Sequence, residues 1–439
     1  MIIFYIYLLL PLLFSLIYFI GKKEGPTLFK IYQVLSLLLV FFVNPENIFL
    51  KTNNSFIFSL LLEILGFGLI FFLNKRSHIF YQLLLILKFF SIGLFFSNHL
   101  LIFYIFWEST VIPLYFLIFF FGQEERQEGA QKFLKYMILS SIPMIFSFIY
   151  IGIHAKTMLI NQLHLSSENI FVFIGLMIPI LVKMPLVPFH GWLTKAHVEA
   201  PTVGSMLLAG IFLKFSLFLF FTFIEPFFSV LWMKYQNIFI YWGLFSYLYA
   251  SFCALNEKNL KKIIAYASVG HMSYVFMGLA VYTKLSLKMC LFQMFSHGLV
   301  SYALFYLIGS IIEKTHYKYV DDPDFLGLKN SLPKISFFLI IFLFASLGLP
   351  GLSNFIPEFF LFKEFIAFIP HGIVFVMFGI FITTVYHLYP LKKILYGQNN
   401  HSFEDLNTIE VVGLLFFLSI SVLMGINPGV FLRLCSIVF

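Results

Sequence analysis

Runs of roughly twenty apolar residues follow one another along the whole chain, from MIIFYIYLLLPLLFSLIYFI at the start to VVGLLFFLSISVLMGI near the end, and they restrict the possible folds severely. A water-soluble globule needs a polar skin. With 61% of its residues hydrophobic and 11% charged, this 439-residue chain cannot supply one. Inside lipid the backbone must satisfy its own hydrogen bonds, which leaves helices and closed barrels as the spanning structures. Barrel strands alternate lipid-facing with lumen-facing residues, whereas these runs are continuous. The chain therefore reads as an all-α integral membrane protein with about 14 transmembrane helices.

Spans are expected near 1–20, 27–43, 55–73, 79–97, 99–121, 131–153, 170–190, 201–224, 237–255, 263–282, 287–312, 333–362, 367–395 and 409–433. The odd-numbered connections carry Lys22, Lys23, Lys75, Arg76, Arg126, Lys132, Lys258, Lys261, Lys262, Lys314, Lys318, Lys329, Lys334, Lys392 and Lys393. The even-numbered ones carry only Lys51, Lys156, Lys234, Lys284 and Lys288. By the positive-inside rule the odd connections face the cytoplasm-equivalent side and both termini the opposite side. The formal charge of +8 thus has a topological explanation and does not call for a nucleic-acid partner. Cys253, Cys290 and Cys435 stand apart, with no C-x-x-C spacing, which argues against a zinc or iron–sulfur site made by this chain. The first segment has neither the pattern of a cleaved signal peptide nor that of a transit sequence, so it is expected to remain as a span. The 63 phenylalanines fit an A- and T-rich gene and suggest an organellar origin.

Two spans carry residues that break helices. The seventh holds Lys183-Met-Pro185-Leu-Val-Pro188-Phe-His190-Gly191; the twelfth holds Gly348-Leu-Pro350-Gly351-Leu-Ser-Asn354 followed by Pro357-Glu358. Proline frees backbone groups that find partners at membrane depth only beside protein or water. Interrupted helices at matching places in two halves point to an inverted-repeat transporter core. Matching spans 4–8 with spans 9–13 gives Lys183 and Glu358 equivalent positions.

Ionisable residues inside these spans are costly and mark ion or proton routes. Glu108 sits beside Trp107 in the fifth span. It is either a neutral carboxyl held by a hydroxyl such as Ser109, or an ionised partner of Lys183. Burial disfavours a charged amine and a nearby carboxylate favours it, so alternating between these situations lets a lysine take and release a proton. Lys214 has about ten apolar residues on either side, which favours an interior position on a proton route, with an ammonium snorkelling to an interface as the competing reading. His271 and His297 are mid-span imidazoles suited to passing protons, with a structural histidine bonded to a carbonyl as the competing reading of each. Glu63 and Lys88 fall near the middles of adjacent antiparallel spans and read as a structural pair, with a second proton path as the alternative. The stretch HGWLTKAHVEAPT, with Lys195, His197 and Glu199, reads either as a solvated surface segment or as a proton gate.

The stretches WESTVIPLYFLI, VKMPLVPFHGWLTKAHVEAPTVGSMLLAGIFLK, NLKKIIAYASVGHMSYVFMGL, MFSHGLVSYALFYLIGSIIEKTH and ASLGLPGLSNFIPEFFLF resemble the antiporter-like proton-translocating subunits of respiratory complex I (NADH:ubiquinone oxidoreductase). The resemblance runs from about residue 99 to 362. It implies fourteen helices with two inverted five-helix repeats: helices 1–3 over 1–77, the repeats over 78–224 and 225–396, and a last helix over 397–439. By motif position Glu108 resembles the family's fifth-helix glutamate, and Lys183 and Lys214 its seventh- and eighth-helix lysines. His271 and His297 resemble the central relay histidines and Glu358 the twelfth-helix acid, whose identity as glutamate resembles the chain 4 branch.

The resemblance further implies proton translocation in a mitochondrial inner membrane. This chain would carry no cofactor, with NADH, FMN, iron–sulfur clusters and ubiquinone held elsewhere in the complex, and its partners would be neighbouring membrane-arm subunits and lipid. The rival readings are a subunit of a multi-protein sodium/proton antiporter, a haem-bearing subunit using His271 and His297, and a passive membrane scaffold.

Overall fold

The computed structural model describes residues 2–21, 26–46, 48–73, 76–163, 169–322, 325–397 and 401–436; Lys22, Lys23 and Lys75, and the Cys435 side chain, lie outside them. Among the described residues the regular structure is helical, with only isolated bridges between loops. Eleven helices among the described residues are long and apolar enough to cross a membrane, and three shorter apolar ones, Thr27–Phe42, Ile170–Lys183 and Pro333–Ser346, complete the expected set. Side chains such as Phe171 and Ile2, 82% and 74% exposed, face outward from this shell. That outer surface suits lipid or a neighbouring subunit and would be untenable in water.

The chain divides into two units. The first comprises the described residues up to Lys183 together with Leu213–Lys234. Its helices are α1 (Ile2–Gly21), α2 (Thr27–Leu39), α3 (Asn53–Phe72), α4 (His78–Phe96), α5 (Leu100–Ser109), α6 (Val111–Phe121), α7 (Arg126–Ala155) and α8 (Ile170–Lys183), and later in the chain α11 (Lys214–Leu219), α12 (Glu225–Phe227) and α13 (Ser229–Lys234). Thr52 and Ser77 cap α3 and α4 through their hydroxyls, satisfying the orphan N–H groups of Ser55 and Phe80. Pro113 cannot donate to the carbonyl of Ser109, which separates α5 from α6 within one span. Close helix approach depends on small residues: a Cβ at Gly175 would lie 2.2 Å from Ser147 Oγ and 2.9 Å from the Pro143 carbonyl. An aromatic cluster fills the interior, with Phe103 edge-on to Phe223 at 5.1 Å and Phe58 and Phe95 edge-on to Phe218 at 5.1 Å each. The loops before α3, before α5 and after α7 meet through Leu50, Asn98 and Ile160, as expected for even-numbered connections sharing one end.

The second unit comprises Met184–Phe212 and the chain from Tyr235 onward. It contains α9 (Gly191–Glu199), α10 (Thr202–Leu207), α14 (Gln236–Asn256), α15 (Leu260–Val281), α16 (Lys284–Thr315), α17 (Leu328–Ser331), α18 (Pro333–Ser346), α19 (Phe355–Phe368), α20 (Ile373–Leu395), α21 (Thr408–Ile426) and α22 (Pro428–Ser436). The 32-residue α16 and the neighbouring α15 form its almost wholly buried centre, with α14, α18, α19 and α20 around them. Its odd-numbered connections also meet. Asp321 binds Lys258 at 2.8 Å and Lys393 at 3.0 Å, and the Lys258 ammonium foremost holds the Asp321 carboxyl well below the usual carboxylate range.

Two spans differ in form from expectation. The eighth span is not uniform α-helix: π-turns at Leu208–Phe212 and Phe220–Ile224 interrupt it. The fourteenth ends at Ile426, because Pro428 disfavours helix at Asn427 and α22 starts anew.

Candidate functional site

Both predicted breaks exist. α8 ends at Lys183 and helix resumes only at Gly191, since Pro185 and Pro188 have no N–H to donate. The freed backbone of this break is taken up by α14: Trp242 Nε1 donates to the Val187 carbonyl at 2.6 Å, and the Val187 N–H donates to Ser246 Oγ at 3.1 Å. α18 ends at Ser346 and α19 begins at Phe355, with Gly348 (φ +70°) and Gly351 (φ +92°) in left-handed conformations open to glycine at little cost. Here α21 and α16 supply the partners. Ser353 N–H and Oγ meet Ser421 Oγ at 3.3 and 2.9 Å, and Ser296 donates to Asn354 Oδ1.

α21 reaches the second break only because Gly425 is bare, a Cβ there falling 2.4 Å from the Gly351 carbonyl carbon and oxygen. Backbone cannot yield as a side chain does. Gly425→Ala is therefore expected to destabilise the protein by about 1–3 kcal/mol, read as a lower thermal midpoint of the purified protein; an unchanged midpoint would show that this contact is slack.

In the first unit Lys183 closes α8, where the negative end of the helix dipole meets an amine. It is fully buried, its Nζ 3.6 Å from the Trp107 ring centroid and 5.3 Å from that of Phe215. Glu108 follows Trp107 on α5, half-buried, within electrostatic reach of Lys183 and hydrogen-bonding reach of Ser141 on α7. Ser141 thus takes the place expected of Ser109, because successive residues on a helix point about 100° apart. Lys214 opens α11 between the two π-turns and is also fully buried. Such turns recur at functional sites, and nothing in the sequence announces them.

Glu63 and Lys88 do pair, at 2.7 Å. Around them Tyr7 donates to Glu63 Oε1 at 2.8 Å, Ser36 donates to Oε2, and the lysine also reaches Gln33 Oε1 at 2.5 Å and Ser36 Oγ at 2.7 Å. The first-unit set also includes Gln33, Ser36 and Tyr7, which sequence reasoning missed. They are polar residues on the two spans preceding the pair, whose only mark is their lone position in apolar runs.

In the second unit His271, His297 and Glu358 come together. Glu358 stands in the first turn of α19, beside the positive end of that helix dipole. His271 Nδ1 on α15 lies 3.0 Å from Glu358 Oε1, and Gln293 Nε2 on α16 donates to the same oxygen at 2.8 Å. The His271 and His297 rings are 5.3 Å apart between centroids, inclined by 59°. Rings so close leave too little room for a porphyrin between them, and one is already engaged by Glu358 and Ser346, which argues against the haem reading. Among the described residues no three His, Cys, Asp or Glu side chains converge as a metal requires. A cavity of about 30 Å³ beside the pair, bounded by Tyr247, Tyr274, Ser346 and Glu358, has room for water. Sequence reasoning missed Gln293, Ser346 and His387; Gln293 was discoverable, lying one helical turn before His297.

The segment 190–202 is not solvated. It folds as α9 against α15, burying His197 fully on Phe305 at 4.2 Å and leaving Glu199 4% exposed, while Lys261 Nζ donates to the Ala200 carbonyl at 2.7 Å.

Spans interrupted at depth, one ending on a base and the other beginning beside an acid, define a multi-pass membrane protein of the transporter type. The sequence profile of the NADH:quinone oxidoreductase/Mrp antiporter transmembrane family matches residues 97–384. NADH-quinone oxidoreductase subunit M of Rickettsia felis is 32% identical over 372 residues, 82% of this chain and 75% of that one. NADH-ubiquinone oxidoreductase chain 4 of Marchantia polymorpha is 33% identical over 355 residues, covering 78% and 71%. A chain of respiratory complex I from Thermus thermophilus with bound NADH superimposes with a TM-score of 0.89 over 100% of this chain and 98% of that one, at 24% identity. The chain belongs to the NADH:quinone oxidoreductase/Mrp antiporter family.

Proposed function

We propose that this chain is a proton-translocating membrane-arm subunit of an NADH:quinone oxidoreductase, in which Glu108, Lys183, Lys214, His271, His297 and Glu358 carry the proton. The observation that carries this reading is an acid–base pair at a broken helix in each unit: Lys183 with Glu108 in the first, Glu358 with His271 in the second. The names of the relatives support the complex I assignment over a free-standing antiporter. NADH oxidation and quinone reduction then take place in other subunits, which hold the FMN, iron–sulfur clusters and ubiquinone, and this chain has no redox centre. Residues 78–224 and 225–396 act as two inverted repeats, flanked by helices over 1–77 and 397–439, each repeat contributing one broken helix. The Phe-rich composition and the relative in Marchantia polymorpha support a mitochondrial inner membrane and an organellar gene.

The work required is small on the scale of buried charges. Moving one charge against 100 mV takes about 2.3 kcal/mol, and altering a group's proton affinity tenfold supplies about 1.4 kcal/mol. Drawing Glu108 toward or away from Lys183 changes that amine's hold on its proton by amounts of this order. Beside Glu108, Ile105 and Ile112 are 58% and 50% exposed, a face suited to a neighbouring membrane-arm subunit.

Isolation of the intact complex in mild detergent tests the assignment. The chain is expected to co-purify with flavin and iron–sulfur proteins and with NADH:quinone activity. Recovery in an assembly that exchanges sodium for protons, without redox subunits, would replace this reading by the antiporter one.

A further inference from the structure

Two buried polar residues adjoin the second-unit pair without a part in the proton path proposed above: Ser346, at the end of α18, and His387 on α20, 4% and 1% exposed. We infer that His387, acting through Ser346, is a positioning residue that sets the tautomer of His271 and thereby keeps its Nδ1 open to the proton it exchanges with Glu358. The inference rests on the proposed role of His271 and Glu358.

Donor and acceptor capacities fix the tautomer. His387 Nδ1 lies 2.9 Å from the Thr383 carbonyl of its own helix. A carbonyl only accepts, so Nδ1 carries a hydrogen, and Nε2 of the neutral ring is a bare acceptor. That Nε2 is 3.1 Å from Ser346 Oγ, so the serine hydroxyl donates to it. The hydroxyl has a single hydrogen. Toward His271 Nε2, also 3.1 Å away, Ser346 can therefore only accept, and His271 must carry its hydrogen on Nε2.

His271 Nδ1 is left bare in the neutral ring, 3.0 Å from Glu358 Oε1. A nitrogen lone pair and a carboxylate oxygen repel at this distance, so the pair is stable only with one further proton held by one of the two. Nδ1 and Oε1 are near but not in hydrogen-bonding alignment, and a turn of the ring brings them into line for its transfer. That proton sits on Nδ1 as imidazolium beside carboxylate, or on Oε1 as imidazole beside carboxylic acid. Transfer breaks one N–H bond and makes one O–H bond, while His387, Ser346 and the Gln293 amide keep their hydrogens throughout. Without the acceptor on His387, Ser346 can turn and donate to His271 Nε2. The ring hydrogen then moves to Nδ1, where it is fixed as a donor to Glu358 and the place of the exchanging proton is filled.

The bland alternative is that His387 only fills the core and satisfies its own polar atoms. The test measures protons translocated per electron by the intact complex in vesicles, with assembly checked on native gels. His387→Leu and Ser346→Ala are expected to lower the ratio to that of Glu358→Gln. His387→Gln, whose amide oxygen can accept from Ser346, and Ser346→Thr, which keeps the hydroxyl, are expected to restore it. Wild-type ratios in the Leu and Ala variants, with Glu358→Gln defective, would overturn the inference and leave the proposed function standing. A wild-type ratio in Glu358→Gln would overturn that function itself. Equal loss in all four His387 and Ser346 variants would also overturn the inference, since the effect would then follow packing and not the acceptor. Should His387→Leu fail to assemble, the Ser346 pair of variants decides.

Discussion

Replacing Lys183 by alanine is expected to stop proton translocation by this subunit while leaving the complex assembled. The lysine is fully buried, and its ammonium rests 3.6 Å over the Trp107 ring. Removing it forfeits a cation–π contact worth about 0.5–2 kcal/mol and the packing of the stem beyond Cβ, offset by the desolvation cost of the charge that goes with it. Glu108 is not stranded in a dry core, because it is half-buried and has Ser141 within reach. The loss should therefore be functional: no amine remains to take a proton when the carboxylate is near and release it when it is not. Lys183→Arg sharpens the test, since a guanidinium keeps the charge but does not release its proton. Both variants are expected to show a lowered proton-to-electron ratio in vesicles with normal assembly on native gels. Translocation at the wild-type ratio in the alanine variant would defeat the mechanism.

Lys88→Met is expected to act in the opposite way, through stability. It leaves Glu63, 0% exposed, without its ion-pair partner. Breaking a buried pair from one side typically costs about 3–5 kcal/mol, because the remaining charge is uncompensated. A sharp drop in assembled protein is the expected result, with most of it regained when Glu63→Leu is added and no buried charge remains. The close packing supports a structural role: Tyr7, Ser36 and Gln33 already occupy positions around the pair, and a Cβ at Gly66 would come 2.6 Å from Gln33 Oε1 and 3.1 Å from Lys88 Nζ. Unchanged assembly with reduced translocation in Lys88→Met would reassign the pair to a second proton path.

The two results separate classes of buried charge that look alike in sequence. Lys88 and Lys183 both interrupt long apolar runs, and hydropathy alone ranks them equally. One sits among a carboxylate, an amide and a hydroxyl that hold it in place. The other ends a helix at a proline-rich break, over an indole, with its acid partner on a half-buried position.

Glycine and proline made the two breaks legible before any coordinate, because the missing N–H groups of Pro185 and Pro188 and the left-handed residues Gly348 and Gly351 are local facts of the backbone. The groups that repair those breaks were not legible. Trp242, Ser246 and Ser421 are ordinary residues of apolar spans, and only packing of α14 and α21 shows that they serve a carbonyl or an N–H far away in the chain. The segment around His197 misled for the same reason: mixed polarity reads as surface until α9 is seen packed against α15 and Phe305.

From the sequence by itself came the all-helical membrane fold, the spans, the breaks and the identities of the buried acids and bases, since each depends on how a residue and its near neighbours partition between water and lipid. Tertiary structure alone decided which of those charges meet, that Gln293 and Ser346 join Glu358 and His271, and which way the hydrogens of that cluster must point. Hydrophobic burial depends on composition summed along a segment, whereas a hydrogen bond or ion pair depends on distance and direction between atoms on different helices, and no local pattern encodes those.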